Sequence, residues 1–369
     1  MIDGANPSSE GAGLPLKDLE PCLMTGASGQ IGSECLRRLN AAGVIPMVLL
    51  RRPMPPGAWQ DTRVTEVEGD LDALAAGQVP DALREALGHT RTLIHLAARV
   101  NLAARGAEEM ERVNYHGALA LFALARECGV SRFVHVSTTG TVGCAPRPVA
   151  LDEDAAYNLA AFRNPYFDTK RRAEEELLRR WAEAPSRTTL VIANPSIVIG
   201  RQVSLRRLAR PRRRRRPPAP GGWQLRLICF WFDGGFNLVD LRDAADGILR
   251  AARFGRGGRR YILAGDNLTV RELMDHMHRA LGTGRPVVRL PLSLMRGGAA
   301  VAEAVASLSG GRARWNRPLA RLAGSYWFYD SARAKQELGW RSRPIAETLE
   351  DLRQWLIALQ AMGGEGGEA

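Results

Sequence analysis

The chain has 369 residues, 45% of them hydrophobic and 24% charged, an ordinary globular composition with enough length for one large or two modest domains. The formal net charge of +12 rests almost wholly on arginine, because Lys17, Lys170 and Lys335 are the only lysines. Such a skew is read as codon bias, so no specific nucleic-acid partner is expected from charge alone. Five cysteines, Cys22, Cys35, Cys128, Cys144 and Cys229, are odd in number and lack metal-ligand spacing. They point to reduced thiols and a cytoplasmic location, not to a disulfide framework. Met1 to Pro15 is polar and Gly/Ser-rich, unlike a signal peptide. The apolar stretch Leu292 to Leu308 is broken by Arg296 and Glu303 and is too short and too charged to span a membrane.

Residues 1–20 read as a disordered leader. A βαβ rhythm begins at Pro21. The apolar run Cys22 to Met24 predicts a buried strand, and Gly26, Gly29 and Gly32 follow it. Ile31, Cys35, Leu36 and Leu39 then recur at helical spacing. Strand, glycine turn and helix form the context in which glycines cradle a pyrophosphate. Gly26 is free to take backbone angles closed to residues with a Cβ, Gly29 lets the phosphates approach, and Gly32 lets the helix pack on the strand. The first turn of the helix offers its N–H groups and its positive end. Gly26, Ser28, Gly29, Gln30, Ile31 and Gly32 are therefore the candidate phosphate-binding residues.

Further strands are predicted at Val44 to Leu50, after a helix stop at Gly43, then at Val64 to Val67 and Thr92 to Leu96. They end in Arg51-Arg52, in Gly69-Asp70-Leu71 and in Ala97-Ala98. A helix is predicted from about Gly106 to Cys128, a strand from Phe133 to Val136, a helix from Pro165 to Trp181 and a strand from Leu190 to Ala193. Apolar strands alternating with helices imply a parallel, doubly wound α/β sheet over residues 21–200, with ligands at the carboxyl ends of the strands. Each polar cluster just named sits at such an end.

The character changes after Gly200. Residues 201–236 are irregular, Arg- and Pro-rich with the run Arg212 to Arg216, and read as a charged loop. Regular patterning returns over 237–369. Strands are predicted at Asn237 to Val239, Tyr261 to Leu263 and Val287 to Leu290. Helices are predicted at Leu241 to Arg253, Thr269 to Leu281, 292–308 and 345–361. This part reads as a smaller C-terminal α/β lobe that binds substrate.

Tyr166 and Lys170 lie four apart, on one face of their helix. An ammonium beside a phenol favours the phenolate and lowers its pKa, so that the tyrosine can exchange a proton with a carbonyl or alcohol oxygen near neutral pH.

The chain resembles the extended short-chain dehydrogenase/reductase superfamily, in the branch of the NAD-dependent epimerase/dehydratase domain. The matching pieces are Thr25-Gly-Ala-Ser-Gly-Gln-Ile-Gly32, Gly69-Asp70-Leu71, His95-Leu-Ala-Ala98, Val113-Asn114 with Gly117, Tyr166 with Lys170, Asn194-Pro-Ser196, Val239-Asp-Leu-Arg-Asp243 and Tyr329-Asp330-Ser331. The resemblance implies a Rossmann-type fold with Tyr166 as acid/base. Lys170 would tune it and hold the nicotinamide ribose. A hydroxyl at the end of the fifth strand would orient the substrate oxygen; spacing to Val142 favours Thr139, with Thr138 second and Ser137 structural. Asp70 would bond the adenine, Leu71 would line its pocket, and Ala97 and Ala98 would lie near the adenosine ribose. Asn194, Pro195 and Ser196 would border the nicotinamide. His95 reads as structural, and Asn114 as a brace for its helix.

An acidic residue usually ends the second strand of an NAD site, whereas Arg51 and Arg52 stand here, so NADP(H) is favoured over NAD(H). The run Thr188 to Gly200 and the stretch Tyr329 to Arg333 resemble the dihydroflavonol-reductase and 3β-hydroxysteroid-dehydrogenase-like branch. The expected function is an NAD(P)-dependent oxidoreductase that reduces a ketone, or oxidises a secondary alcohol, of a fairly hydrophobic small molecule. The alternative is a nucleotide-sugar epimerase or dehydratase with tightly bound NAD. A homodimer is left open.

Overall fold

The computed structural model describes residues 14–59, 62–102, 106–183, 187–201, 230–281, 288–308, 320 and 322–364. Four-residue apolar segments and amphipathic helices alternate from Cys22 onward. In chain order they are β1 (Cys22–Thr25), α1 (Gln30–Ala41), β2 (Met47–Leu50), β3 (Thr65–Glu68), α2 (Leu71–Ala75), α3 (Asp81–Gly88) and β4 (Thr92–His95). Next come α4 (Ala107–Met110), a π-helical stretch Glu111–Gly117, α5 (Ala118–Glu127), β5 (Arg132–Val136), α6 (Pro165–Glu183) and β6 (Thr189–Pro195). Strand β2 starts later than the pattern suggests because Pro46 has no N–H to give to a ladder.

The second half contributes β7 (Ile197–Ile199), β8 (Phe230–Trp231), β9 (Gly235–Asp240), α7 (Leu241–Phe254), β10 (Arg260–Leu263), β11 (Asp266–Thr269) and α8 (Val270–Leu281). It closes with β12 (Val288–Arg289), α9 (Leu292–Leu308), β13 (Tyr326–Trp327), α10 (Ala332–Leu338) and α11 (Ile345–Gly364).

Seven strands form one sheet in the order β10-β6-β5-β4-β1-β2-β3, and every pairing in it is parallel. The order reverses at β1, so the crevice for a ligand opens between the carboxyl ends of β1 and β4. One face of the sheet is covered by α1 and α7, with Cys35, Leu39, Ile248 and Leu249 in a fully buried cluster. The other is covered by α2, α3 and α5, with Leu83, Leu87, Leu121 and Phe122 in theirs. This is the doubly wound Rossmann-type α/β sheet expected from the pattern. A smaller sheet, β11-β9-β13 with β7 also on β9, stands beside it.

Other placements also differ from the sequence reading. Leu16–Leu19, inside the expected leader, form a 3-10 helix. Leu16 and Leu19 are buried in the α1/α7 cluster, and Asp18 pairs with Arg253 at 2.7 Å. The two leucines reach an apolar face that only the assembled sheet provides. Strand β10, read as part of the second lobe, is instead the edge of the main sheet, in register with Ile192 to Pro195. Helix α7 packs on α1 through the stripe Ala244, Ala245, Ile248, Leu249 and Ala252. Finally, the helix expected over Gly106 to Cys128 passes through the π-helical stretch. The arginine run Arg212 to Arg216 lies outside the described residues.

Candidate active site

The turn after β1 is tight for a steric reason. Gly26 has φ +71°, and a Cβ there would lie 2.7 Å from the backbone nitrogen of Ala97. A Cβ on Gly32 would lie 2.2 Å from the Gly26 carbonyl oxygen, so helix and turn touch backbone to backbone. Gly29 caps α1 without any side-chain hydrogen bond, and the first-turn N–H groups of Gln30, Ile31 and Gly32 have no acceptor within the helix itself. Thr25 anchors this arrangement: its Oγ1 accepts from the Ala97 N–H at 3.0 Å and shares a hydrogen bond with His95 Nδ1 at 2.8 Å. His95 is thus engaged within the fold, as the sequence reading proposes.

Beside the turn lies a cavity of about 180 Å³ lined by Gly26, Ser28, Gly29, Arg51, Asp70, Leu71, Ala97 and Ala98, together with Leu49, Val113 and Arg99. Eight residues named from sequence, drawn from the ends of four strands, therefore meet in one place. The Asp70 side chain accepts from the Asp72 N–H at 3.1 Å and caps α2. Leu71 is buried against Gly117, where a Cβ would lie 2.9 Å from the Leu71 Cβ. Arg51 and Arg52 are both exposed, and Arg51 lines the cavity. A glycine cradle that a Cβ would fill, free helix N–H groups and an adjoining cavity fit a dinucleotide pyrophosphate.

Tyr166 and Lys170 open α6, one turn apart and both buried. Their helix is aligned by two devices. Asn164 accepts from the Tyr166 N–H at 3.1 Å. Asn114, on the π-helical stretch, grips the Arg99 backbone at 2.7 and 2.9 Å and reaches Thr169 at 3.4 Å. The π turn brings Asn114 inward at the point where α6 passes, a use of such irregularities seen at functional sites.

The electrostatics differ from the simple Tyr/Lys picture. Burial pushes the Tyr166 phenol up to about 12; a hydrogen bond with Thr138 acts the other way, and the charge of Glu174 adds to the rise. The Lys170 ammonium turns to the sheet, where it donates to the Val136 carbonyl at 2.8 Å and to His135 Nε2 at 3.2 Å. Burial brings Lys170 itself down to about 8, against a raising influence from Glu174. Tyr166 is therefore a protonated phenol at neutral pH, ready to donate.

The hydroxyls after β5 divide. Thr138 caps the 3-10 turn Thr139–Thr141, accepting from Gly140 N–H at 3.2 Å, and bonds to Tyr166. Thr139, the position preferred from spacing, is buried and bonds to Tyr329 of the C-terminal segment. Tyr329 in turn donates to the Gly143 carbonyl at 2.8 Å. Pro195 and Ser196 end β6 on the same edge of the sheet. The buried Ser196 Oγ has no partner among the described residues, as suits a group that meets a ligand.

Sequence reasoning missed the polar floor beneath these residues. Glu174, on α6 one turn beyond Lys170, accepts from Thr141 Oγ1 at 2.6 Å and from Asn194 Nδ2 at 2.8 Å. Its other oxygen lies 3.0 Å from Arg260 Nε, an ion pair whose carboxylate is 1% exposed. Asn194 also donates to the Thr138 carbonyl at 3.1 Å. Glu174 continues the four-residue spacing of Tyr166 and Lys170 along the helix, and that spacing was its only signal in the sequence.

A family model described as the NAD dependent epimerase/dehydratase family matches residues 22–264. The chain belongs to this family. Sterol demethylase protein B of Methylococcus capsulatus is 28% identical over 326 residues, covering 86% of this chain and 92% of that one. The 4-hydroxy-2-methyl-3-oxo-4-farnesyl-3,4-dihydroquinoline-1-oxide ketoreductase of Stigmatella aurantiaca is 27% identical over 346 residues, covering 90% and 95%. The crystal structure of gox2253 superposes with a TM-score of 0.71 at 28% identity, covering 91% of this chain and 98% of that chain. The family is one of enzymes, and its match begins at β1 and ends just past β10, so it includes the strand at the edge of the main sheet. No helix among the described residues is long and apolar enough to cross a membrane.

Proposed function

We propose that this family member is a nicotinamide-dependent oxidoreductase that reduces the carbonyl of a lipophilic small molecule, with NADP(H) as the preferred cofactor. The carrying observation is the buried Tyr166, bonded to Thr138 after β5, across the strand ends from a glycine cradle. Gly26, Ser28, Gly29, Gln30, Ile31 and Gly32 hold the pyrophosphate by backbone contacts. Asp70, Leu71, Ala97 and Ala98 bound the adenosine, and Pro195 and Ser196 the nicotinamide side. Arg51, with Arg52, pairs with a 2′-phosphate. When bound, the cofactor supplies the hydride.

The protein's own residues handle the proton. Thr138 and Thr139 supply the hydroxyls that orient the substrate oxygen, with Thr138 already bonded to Tyr166. Tyr166 gives its phenolic proton to the oxygen as negative charge develops there. Lys170, its ammonium held against the sheet by the Val136 carbonyl and His135, would offer its remaining N–H to the nicotinamide ribose. The relatives named as a ketoreductase and a sterol demethylase protein support a lipophilic carbonyl substrate.

The test is stoichiometric. Protein stripped of nucleotide should oxidise one NADPH for each alcohol formed from a hydrophobic ketone. Protein that retains tightly bound NAD and interconverts a nucleotide sugar without net consumption would replace this reading with the epimerase one.

A further inference from the structure

Two buried histidines on the central strands take no part in the reaction proposed above. Thr25, His95 and His135 lie side by side in register on β1, β4 and β5. The His95 and His135 rings are 5.4 Å apart between centroids. His95 is committed to Thr25. His135 Nε2 lies 3.2 Å from Lys170 Nζ, while its Nδ1 has no hydrogen-bond partner among the described residues.

Lys170 is 1% exposed, so its N–H groups depend on protein acceptors. Val136 takes one through its carbonyl. A neutral imidazole with its proton on Nδ1 has a lone pair on Nε2 that takes another. We propose that His135 is a positioning residue for Lys170: it and the Val136 carbonyl fix two ammonium N–H groups against the sheet and leave the third for the site. This rests on the reading of Tyr166 and Lys170 given above. The other charged or titratable groups around the pair are Tyr166 and Glu174 on α6 itself, His95 on β4, and Arg260 on β10, which is neutralised by Glu174. Burial, with the charge of Lys170 second, holds both histidines far below their ordinary range, so both stay neutral while the lysine is charged.

An apolar ring at position 135 fills the space and removes the acceptor. The ammonium is then less stable and loses its proton at lower pH. The experiment is the pH profile of kcat/KM for the wild type, His135→Phe and His135→Gln, whose Oε1 can replace Nε2. The alkaline limb should fall by about one pH unit in His135→Phe and return to the wild-type position in His135→Gln. A folded His135→Phe enzyme with an unshifted limb overturns the proposal.

A second readout needs neither turnover nor a variant of His135. Side-chain ¹⁵N resonances of His135 in the unliganded protein should report a neutral ring protonated on Nδ1 between about pH 5 and 9. Its Nε2 resonance should move in Lys170→Met. A proton on Nε2, or indifference to Lys170→Met, overturns the proposal even where His135→Phe does not fold. Full activity in Lys170→Met would instead overturn the functional reading, so the two failures are distinguishable.

Discussion

Gly140 lies against the ring of Phe167 so closely that a Cβ on residue 140 would stand 2.3 Å from Phe167 Cε1. The contact locks the turn after β5, with its threonines, onto the helix that carries Tyr166. Gly140→Ala should therefore strain both elements. We expect a loss of about 1–3 kcal/mol of stability, read from denaturant midpoints, together with a fall in kcat. A fully stable and fully active Gly140→Ala protein would mean the turn can move without consequence.

Tyr166→Phe should lower kcat by about 10²- to 10⁴-fold, the usual range for a positioned proton donor. The ring keeps its contacts with Phe167, so cofactor affinity should be nearly unchanged. Isothermal titration and steady-state rates together check this. Substantial residual turnover would assign the proton to another group.

Gly29→Val should weaken binding of either nicotinamide cofactor. A Cβ at this position already sits 3.1 Å from the Gly26 carbonyl oxygen, and the branched side chain would project toward the phosphates. An unaltered cofactor Kd in a folded variant would remove the phosphate cradle from this turn.

Under the proposed function, Arg51 and Arg52 should set the cofactor preference. Replacing both with Ala should raise KM for NADPH by about tenfold or more, since each charge-assisted contact to a 2′-phosphate is strong, while KM for NADH barely moves. Parallel kinetics with the two cofactors at fixed ionic strength give the answer. Equal losses, or a wild type that prefers NADH, would make the pair ordinary surface charges.

Lys170→Met should cost activity and gain stability. Burial brings the folded-state pKa of Lys170 down to about 8 from an ordinary 10.5. Below pH 8 the lysine is charged in both states and the folded protein bears the whole desolvation penalty. Between pH 8 and 10.5 the unfolded chain binds more protons, so wild-type stability rises with pH. The Met variant should be more stable by about 2–4 kcal/mol at pH 7, with the gap closing as pH rises through that window. Unfolding free energies at pH 7 and pH 10 would show it, and a gap that does not close would point to packing instead of charge.

The alternation of apolar strands with helices, the glycines after β1 and the pair Tyr166 and Lys170 were legible along the chain, because each depends on local spacing. Periodicity reports which face is buried, and a glycine turn needs only its own residues and the strand beside it. The sequence therefore determined the α/β sheet, the family and the list of strand-end residues that line the cavity. It could not place β10 in the main sheet, since a four-residue apolar segment carries no record of its neighbour. It could not foresee Leu16–Leu19 as core, because their apolar partners, α1 and α7, come together only in the fold. The tertiary structure alone decided where the Lys170 ammonium points. Spacing on a helix put it near Tyr166, yet the Val136 carbonyl and the His135 imidazole, brought there by the register of β5, draw it to the sheet. Burial, Thr138 and Glu174 then set the Tyr166 phenol, and spacing along the helix carries no record of that three-dimensional competition for hydrogen bonds.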